Sequence, residues 1–373
     1  MNYLAASKAG LTQFGAWLLR MPMWIFLLLV GAIALAKVTF VWKALYFARS
    51  AQLFPQPLDT QSNQVIGIAV YRLTGGSPWL YASIAAASML AAVLIVWRAG
   101  LNPQAPAEIT RIRLIFALSW PFVLANLAWF GDGREYLPFF IALAVLVRTP
   151  WLAAVGVLGA TLSHPEHAFL AFGLLLVLSL APEFRSWRVR ASLATAFALV
   201  VLVTASIWQF LGGAESRLSV LLELLNDSVR AFLRHGFLGA YSWWGVWWIL
   251  VVAAFLAVRG KSRWIVALSA LVMPAFVTAL ALDGTRVFAA VASAVGLAIL
   301  HLFTATDGHS KFSPKVPRSP HGASLVMAFV FIALVVLPNV QVKMIGDGIP
   351  SPGYFWVGLV ENYVIPRLEG TIS

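Results

Sequence analysis

Cysteine is missing altogether from the 373 residues. That absence excludes disulfides, thiolate nucleophiles and cysteine-held metals as sources of structure or chemistry. Charge is scarce too: 11% of residues are charged and only 14 are acidic, against about 25% charged in an ordinary soluble domain. No long polar stretch exists that could form a soluble domain, and no cleavable signal peptide is evident. The first apolar run begins at Met21 and continues for about 20 residues, long enough to cross a bilayer.

Hydrophobic residues make up 61% of the chain and the mean hydropathy is +0.86. The expected fold is therefore all-α: a polytopic integral membrane protein forming one transmembrane domain over residues 1–373. Apolar runs near 22–45, 79–97, 112–130, 136–147, 150–163, 168–182, 191–210, 237–257, 264–282, 286–304 and 323–338 predict about 11 transmembrane helices, several of them short or broken. The runs 136–147, 150–163 and 168–182 are short for about 30 Å of hydrocarbon. Such helices are tolerated where protein or a water-filled cavity satisfies the backbone, so these three are expected to line a cavity.

The net charge of +12 needs no nucleic acid to explain it. With a cytosolic N-terminus, alternating spans place Arg98, Arg111, Arg113, Arg148, Arg185, Arg188, Arg190, Arg259, Lys261 and Arg263 inside, together with Lys8, Arg20, Lys311, Lys315 and Arg318. Only Glu108, Glu183 and Asp307 oppose them, and the other face keeps acids and bases in equal number. This is the positive-inside pattern, and the expected location is a bacterial inner (plasma) membrane.

Between the spans, residues 1–20 carry Leu11, Phe14, Trp17 and Leu18 at helical spacing, predicting a segment lying in the cytosolic interface. The first outward loop, 46–78, contains a turn-rich stretch and then Val65 to Leu73, which reads as a short helix. Residues 211–236 contain an amphipathic pattern of leucines with Glu223, Asp227, Arg230 and Arg234 between them. The aromatic residues Tyr241, Trp243, Trp244, Trp247 and Trp248 follow and are expected to anchor at the outer interface. Segment 305–322 reads as a basic cytosolic loop and 339–373 as an outward tail.

Three charged turns fall on the outward face of this topology. Gly131-Asp132-Gly133-Arg134-Glu135 is a tight turn. Its bland reading is a solvated hairpin whose charges pair with one another. Ser163-His164-Pro165-Glu166-His167 puts two imidazoles and a carboxylate within four residues. That combination suits a proton-transfer site, a phosphate clamp or a metal, and the simplest alternative is a set of satisfied interfacial residues. Asp283-Gly284-Thr285-Arg286 interrupts two apolar runs, and its i,i+3 spacing allows an Asp283–Arg286 pair. Ionisable groups in such places are costly unless paired or hydrated, and are functional candidates by default. Lys37, with snorkelling to the interface as its plain explanation, lies toward the outer side.

Carboxylates (Asp59, Asp132, Glu135, Glu166, Asp283), cations (Lys37, Arg72, Arg134, Arg286) and His164 and His167 thus share one face. Asp132, Glu135 or Glu166 is the expected general base, with His164 or His167 as alternatives. Arg134, Arg286, Lys37 and Arg72 are the expected phosphate holders, with Asp283 orienting Arg286. No cofactor is identified. A divalent metal stays open, although His-x-x-His with one Glu offers few fixed ligands.

The layout resembles that of bacterial polysaccharide-assembly enzymes, the O-antigen and exopolysaccharide polymerases and the multi-spanning GT-C glycosyltransferases. The likeness rests on the many spans, an acidic residue in the first outward loop (Leu58-Asp59-Thr60-Gln61, with no adjacent acid), short re-entrant-like helices and outward Arg, Asp and His. Ser163-His164-Pro165-Glu166 is similar to the His-Pro-Asp-Glu string of GPI mannosyltransferases, in a later loop and without the Asp. The resemblance implies a polyprenyl-phosphate- or diphosphate-linked sugar as substrate, with the bilayer and other polysaccharide-assembly proteins as partners. An ion-coupled secondary transporter and a non-catalytic subunit of an envelope complex are the alternatives.

Overall fold

The computed structural model describes residues 2–38, 41–42, 64–131, 133–211, 225–230, 243–280, 284–306 and 320–337. Within them the protein is all-helical apart from a two-residue pairing. Five helices are long and apolar enough to cross a membrane, or six if a bent pair counts as one span. Five shorter apolar helices accompany them, which fits a polytopic membrane protein.

Helix α1 (Asn2–Arg20) meets α2 (Met23–Leu35) at a 114° bend between Arg20 and Met23. Pro22 occupies the N-cap of α2, where its fixed φ and missing N–H break one helix and start another. In α1, Leu18 is buried while Leu11 and Trp17 are exposed, the two-sided pattern expected of an interfacial helix. The expected span over 22–45 is not continuous. Helix α2 ends at Leu35, and the chain becomes extended at β1 (Val41–Trp42), which pairs in parallel with β2 (Trp129–Phe130). The run is apolar throughout, but Val38, Thr39, Val41 and Trp42 are β-favouring.

The short helix read over Val65 to Leu73 is present as α3, with those bounds. Helix α4 (Pro78–Arg98) follows, started by Ser77, whose hydroxyl accepts from the Leu80 amide at 3.4 Å, with Pro78 in its favoured first-turn place. The run predicted at 112–130 is one span in two pieces, α5 (Ala107–Leu118) and α6 (Pro121–Ala128). Pro121 cannot donate into the preceding turn, and Ser119 and Trp120 fill the break.

Next come α7 (Leu137–Leu146), α8 (Pro150–Ser163) and α9 (Pro165–Leu178), then a 3-10 turn (Pro182–Trp187) leading into α10 (Arg188–Leu211). Helices α7 and α8 pack as a close hairpin. A Cβ on Gly156 would collide with the Ala144 backbone, and one on Gly159 with the Phe140 ring. Small residues allow this approach, as is common between apolar helices in lipid.

A 3-10 turn (Gly245–Trp247) opens α11 (Trp248–Ala257). Helix α12 (Lys261–Ala267) runs through a π turn (Leu268–Val272) into α13 (Met273–Ala279), and α14 (Gly284–Thr304) and α15 (Pro320–Val336) complete the described chain. Helix α14 is the central post, with 89% of its most apolar stretch buried. A single buried cluster reaches from Leu18 to Leu334.

Of the aromatics predicted to anchor at an interface, three are core residues instead, while Trp248 is half-buried and Tyr241 lies outside the described residues. Trp243, Trp244 and Trp247 are buried. Trp244 donates to the Ala270 carbonyl at 3.1 Å and Trp247 to the Phe116 carbonyl at 2.9 Å, while both rings lie over Gly296 of α14. With its N–H satisfied, an indole costs little to bury. The missing Cβ of Gly296 makes the room.

Of the predicted amphipathic segment 211–236, residues 225–230 are helical. Leu211 ends α10, and 212–224 and 231–236 lie outside the described residues, as do 339–373, most of 305–322 and 46–63.

Candidate functional site at one end of the helix bundle

Contacts at the two ends of α4 and α14 fix where the charged turns sit. Arg113, fully buried on α5, donates from Nε to the Val96 carbonyl at 2.6 Å and from Nη1 to the Thr304 hydroxyl at 3.0 Å. The C-terminal ends of α4 and α14 therefore meet at Arg113. Trp187, just after α9, stands edge-on to His301 with centroids 5.7 Å apart, so that connection belongs to the same end. The N-terminal end of α4 (Tyr81), the first turn of α14 (Arg286) and the α8–α9 junction (His164) all lie at the opposite end. At about 1.5 Å per residue, Tyr81 and Val96 are separated by roughly 22 Å. The turns ending in Glu135, at His164 and before Arg286 are gathered at one end of the bundle.

At the first turn, Gly131 and Gly133 both have φ near +92°, a conformation glycine adopts freely. Their amides point back at the Glu135 carboxylate. Gly131 N–H donates to Oε1, while Gly133 N–H and the Tyr81 hydroxyl donate to Oε2, each at 3.1 Å. Glu135 is fully buried, so these three bonds offset the cost of taking its charge out of water. So held, Glu135 staples its own turn to α4.

Tyr81 makes edge-to-face contacts with Tyr71 at 6.1 Å and Tyr136 at 5.9 Å. None of these tyrosines was singled out by the sequence. The available signal was the Gly-x-Gly-x-Glu spacing, whose two free amides and buried acid call for one more donor.

At the second turn, Ser163 closes α8 and Pro165 opens α9, leaving His164 as the residue between them with φ −165°. His164 Nδ1 is 3.0 Å from Glu166 Oε2. The rings of His164 and His167 stack face to face, 3.8 Å between centroids and 6° between planes. His164 is 2% exposed, His167 6%, and the Glu166 side chain 23%. Glu166 lies in the first turn of α9, where the helix dipole favours a negative charge. Two cations 3.8 Å apart would repel by about 4 kcal/mol at an effective dielectric of 20. The stack therefore disfavours charging both rings at once. Ser163 Oγ, buried beside them, makes no hydrogen bond among the described residues.

Arg286 is buried in the first turn of α14. A cation there opposes the helix dipole, so the position calls for an anionic neighbour. Asp283, the expected partner, lies outside the described residues, as do Asp132 and Asp59. Arg134 is half-buried in the first turn, and Arg72 is exposed in the last turn of α3.

Lys37 is placed differently from the expectation. Its ammonium donates to the carbonyls of Leu334 and, at 2.7 Å, Leu337, capping the C-terminus of α15. Ser119 and Leu124 line the same pocket, at the break of the α5–α6 span and so at middle depth. An ammonium at a helix C-terminus satisfies orphan carbonyls and the dipole together. It is a clasp between α2 and α15, away from the gathered turns.

Among the described residues no group of three or more His, Asp or Glu side chains is placed to hold a metal ion. The end of the bundle thus offers an imidazole pair with a carboxylate 3.0 Å away and two arginines. No family model, curated protein or solved structure matches the chain.

Proposed function

We propose that the protein is a multi-pass bacterial inner-membrane glycosyltransferase or glycan polymerase, with about eleven spans and a cytosolic N-terminus. It would take sugar from a polyprenyl phosphate or diphosphate at the periplasmic face. The observation that carries this reading is the Glu166–His164–His167 cluster, buried at the end of the bundle that also bears Arg134 and Arg286.

In this reaction the acceptor hydroxyl oxygen attacks the anomeric carbon of the donor sugar and the bond to the phosphate oxygen breaks. The hydroxyl proton passes to the imidazole pair, which Glu166 orients and whose cationic form it stabilises. Arg134 and Arg286 meet the negative charge left on the phosphate. Asp132 and Asp283 remain acid candidates beside them, and Asp59 an acid of the first outward loop. Arg72 would act as an outer phosphate contact.

The test is transfer by the full-length protein in proteoliposomes, using a polyprenyl-diphosphate-linked oligosaccharide and reading product length on a gel. His164→Ala, Glu166→Gln and Arg286→Gln variants that insert normally should lose product. Wild-type product from all three would rule the site out.

A second reading, an ion-coupled transporter, is favoured by the break between α5 and α6 and by the π turn between α12 and α13. Broken helices commonly line transport sites. It predicts substrate flux across the vesicle membrane driven by an ion gradient, with no covalent change.

A further inference from the structure

Far from the charged turns, α8 and α10 diverge enough to leave a groove of about 710 Å³, within the range of small-molecule sites at about 300–1,000 Å³. Its walls are apolar: Ala153, Ala154 and Leu158 on α8 face Val189, Leu193 and Phe197 on α10. Pro150 and Arg190 close one end. From Pro150 to Leu158 the groove follows α8 for roughly 12 Å at about 1.5 Å per residue. Leu158, Val189, Leu193 and Phe197 are exposed, on helices whose composition suits lipid.

The closed end is strongly cationic. Arg190 donates through Nη1 to the carbonyls of Ala144, Val145 and Val147 at 2.8–3.2 Å. This holds the guanidinium at the mouth of the groove and caps the C-terminus of α7. Its Nε and Nη2 make no hydrogen bond among the described residues, leaving donors from a planar fork suited to phosphate. Arg148, Arg185 and Arg188 are exposed around it, with Glu183 the acid of the same turn. Helix α8 also begins here, at Pro150, so the unpaired amides of its first turn lie at this rim.

An apolar channel along two apolar helices, closed by Arg190 with Arg188 two residues away and the first turn of α8 beside it, matches an amphiphile with a hydrocarbon tail and a phosphate head. We infer that this groove binds an anionic membrane phospholipid, one acyl chain between α8 and α10 and the phosphate on Arg190 with Arg148 and Arg188. Its head lies at the opposite end of the bundle from His164, so it is a resident lipid distinct from any substrate of the charged turns. Because α8 carries His164 at its far end, the lipid also braces the helix that holds the imidazole pair.

Native mass spectrometry of the full-length protein in neutral detergent tests this, with dioleoyl phosphatidylglycerol titrated against dioleoyl phosphatidylcholine. Phosphatidylglycerol should be retained at least tenfold more tightly. Ala154→Trp, which fills the groove from an exposed position, should abolish that retention, and Val189→Trp does the same from the other wall should the first variant fold poorly. Arg148→Gln and Arg188→Gln should each weaken phosphatidylglycerol about fivefold, the effect of about 1 kcal/mol per basic residue at a membrane surface, and leave phosphatidylcholine unchanged. Equal retention of the two lipids overturns the inference, as does full retention by both tryptophan variants. Displacement of the lipid by millimolar inorganic phosphate would reduce the site to a headgroup-sized anion pocket and also overturn it.

Discussion

The rings of His164 and His167 stack 3.8 Å apart and nearly parallel, with Glu166 on His164 Nδ1 at 3.0 Å. They come from the junction of α8 and α9, where Pro165 forces a new helix to start. If this pair accepts the acceptor proton, His164→Ala should lower transfer about 10²–10⁴-fold, the usual contribution of a positioned acid or base. Glu166→Gln should keep the ring in place and cost less. Initial rates in proteoliposomes across pH 5–9 measure both, and a His164→Ala rate equal to wild type would sink the proposal.

Glu135 is expected to be structural. Tyr81→Phe removes a hydrogen bond to its buried carboxylate and should cost about 1.5–3 kcal/mol, read as a lower denaturation midpoint in detergent. Transfer by the remaining folded protein should be unchanged. A large loss of activity without a loss of stability would return Glu135 to the chemistry.

Lys37→Met should leave transfer untouched and destabilise the packing of α2 on α15 by about 0.3–2 kcal/mol, the range for a cation at a helix C-terminus. Thermal unfolding checks the second part. Substrate-dependent loss, such as a raised KM, would show instead that the ammonium reaches phosphate.

Gly156→Ala should be harmful and Gly10→Ala, in the open interior of α1, stabilising by about 0.5–1 kcal/mol. The added methyl on Gly156 meets the Ala144 backbone, whereas nothing lies within 4 Å of a Cβ on Gly10. Overpacking of this kind costs about 1–3 kcal/mol. Paired melting curves of the two variants provide the comparison.

Much of the architecture was legible from apolar periodicity. The helix over Val65 to Leu73, the short hairpin helices flanking His164 and the one-sided α1 follow directly from spacing. The gathering of charged turns at one end was expected from the order of the apolar runs. What spacing could not reveal is who satisfies a buried polar group. Glu135 reads as a solvated acid until the positive-φ glycines and Tyr81 supply its three donors. Trp244 and Trp247 read as interfacial anchors until carbonyls far along the chain accept their N–H groups. Lys37 reads as an outward cation until α15, about 300 residues away in sequence, presents its terminal carbonyls. Each of these depends on a long-range partner that no local pattern encodes.

Helix α14 carries Arg286 in its first turn and Thr304 in its last, roughly 27 Å apart at about 1.5 Å per residue. Between them Gly296 is gripped by two indoles, and Arg113 holds the far end. So clasped, the helix has little freedom to bend or turn about its own axis. If an anion binds Arg286 as proposed, it meets one end of a post whose other end is fixed at Arg113, so the site rests on a rigid support rather than a movable one.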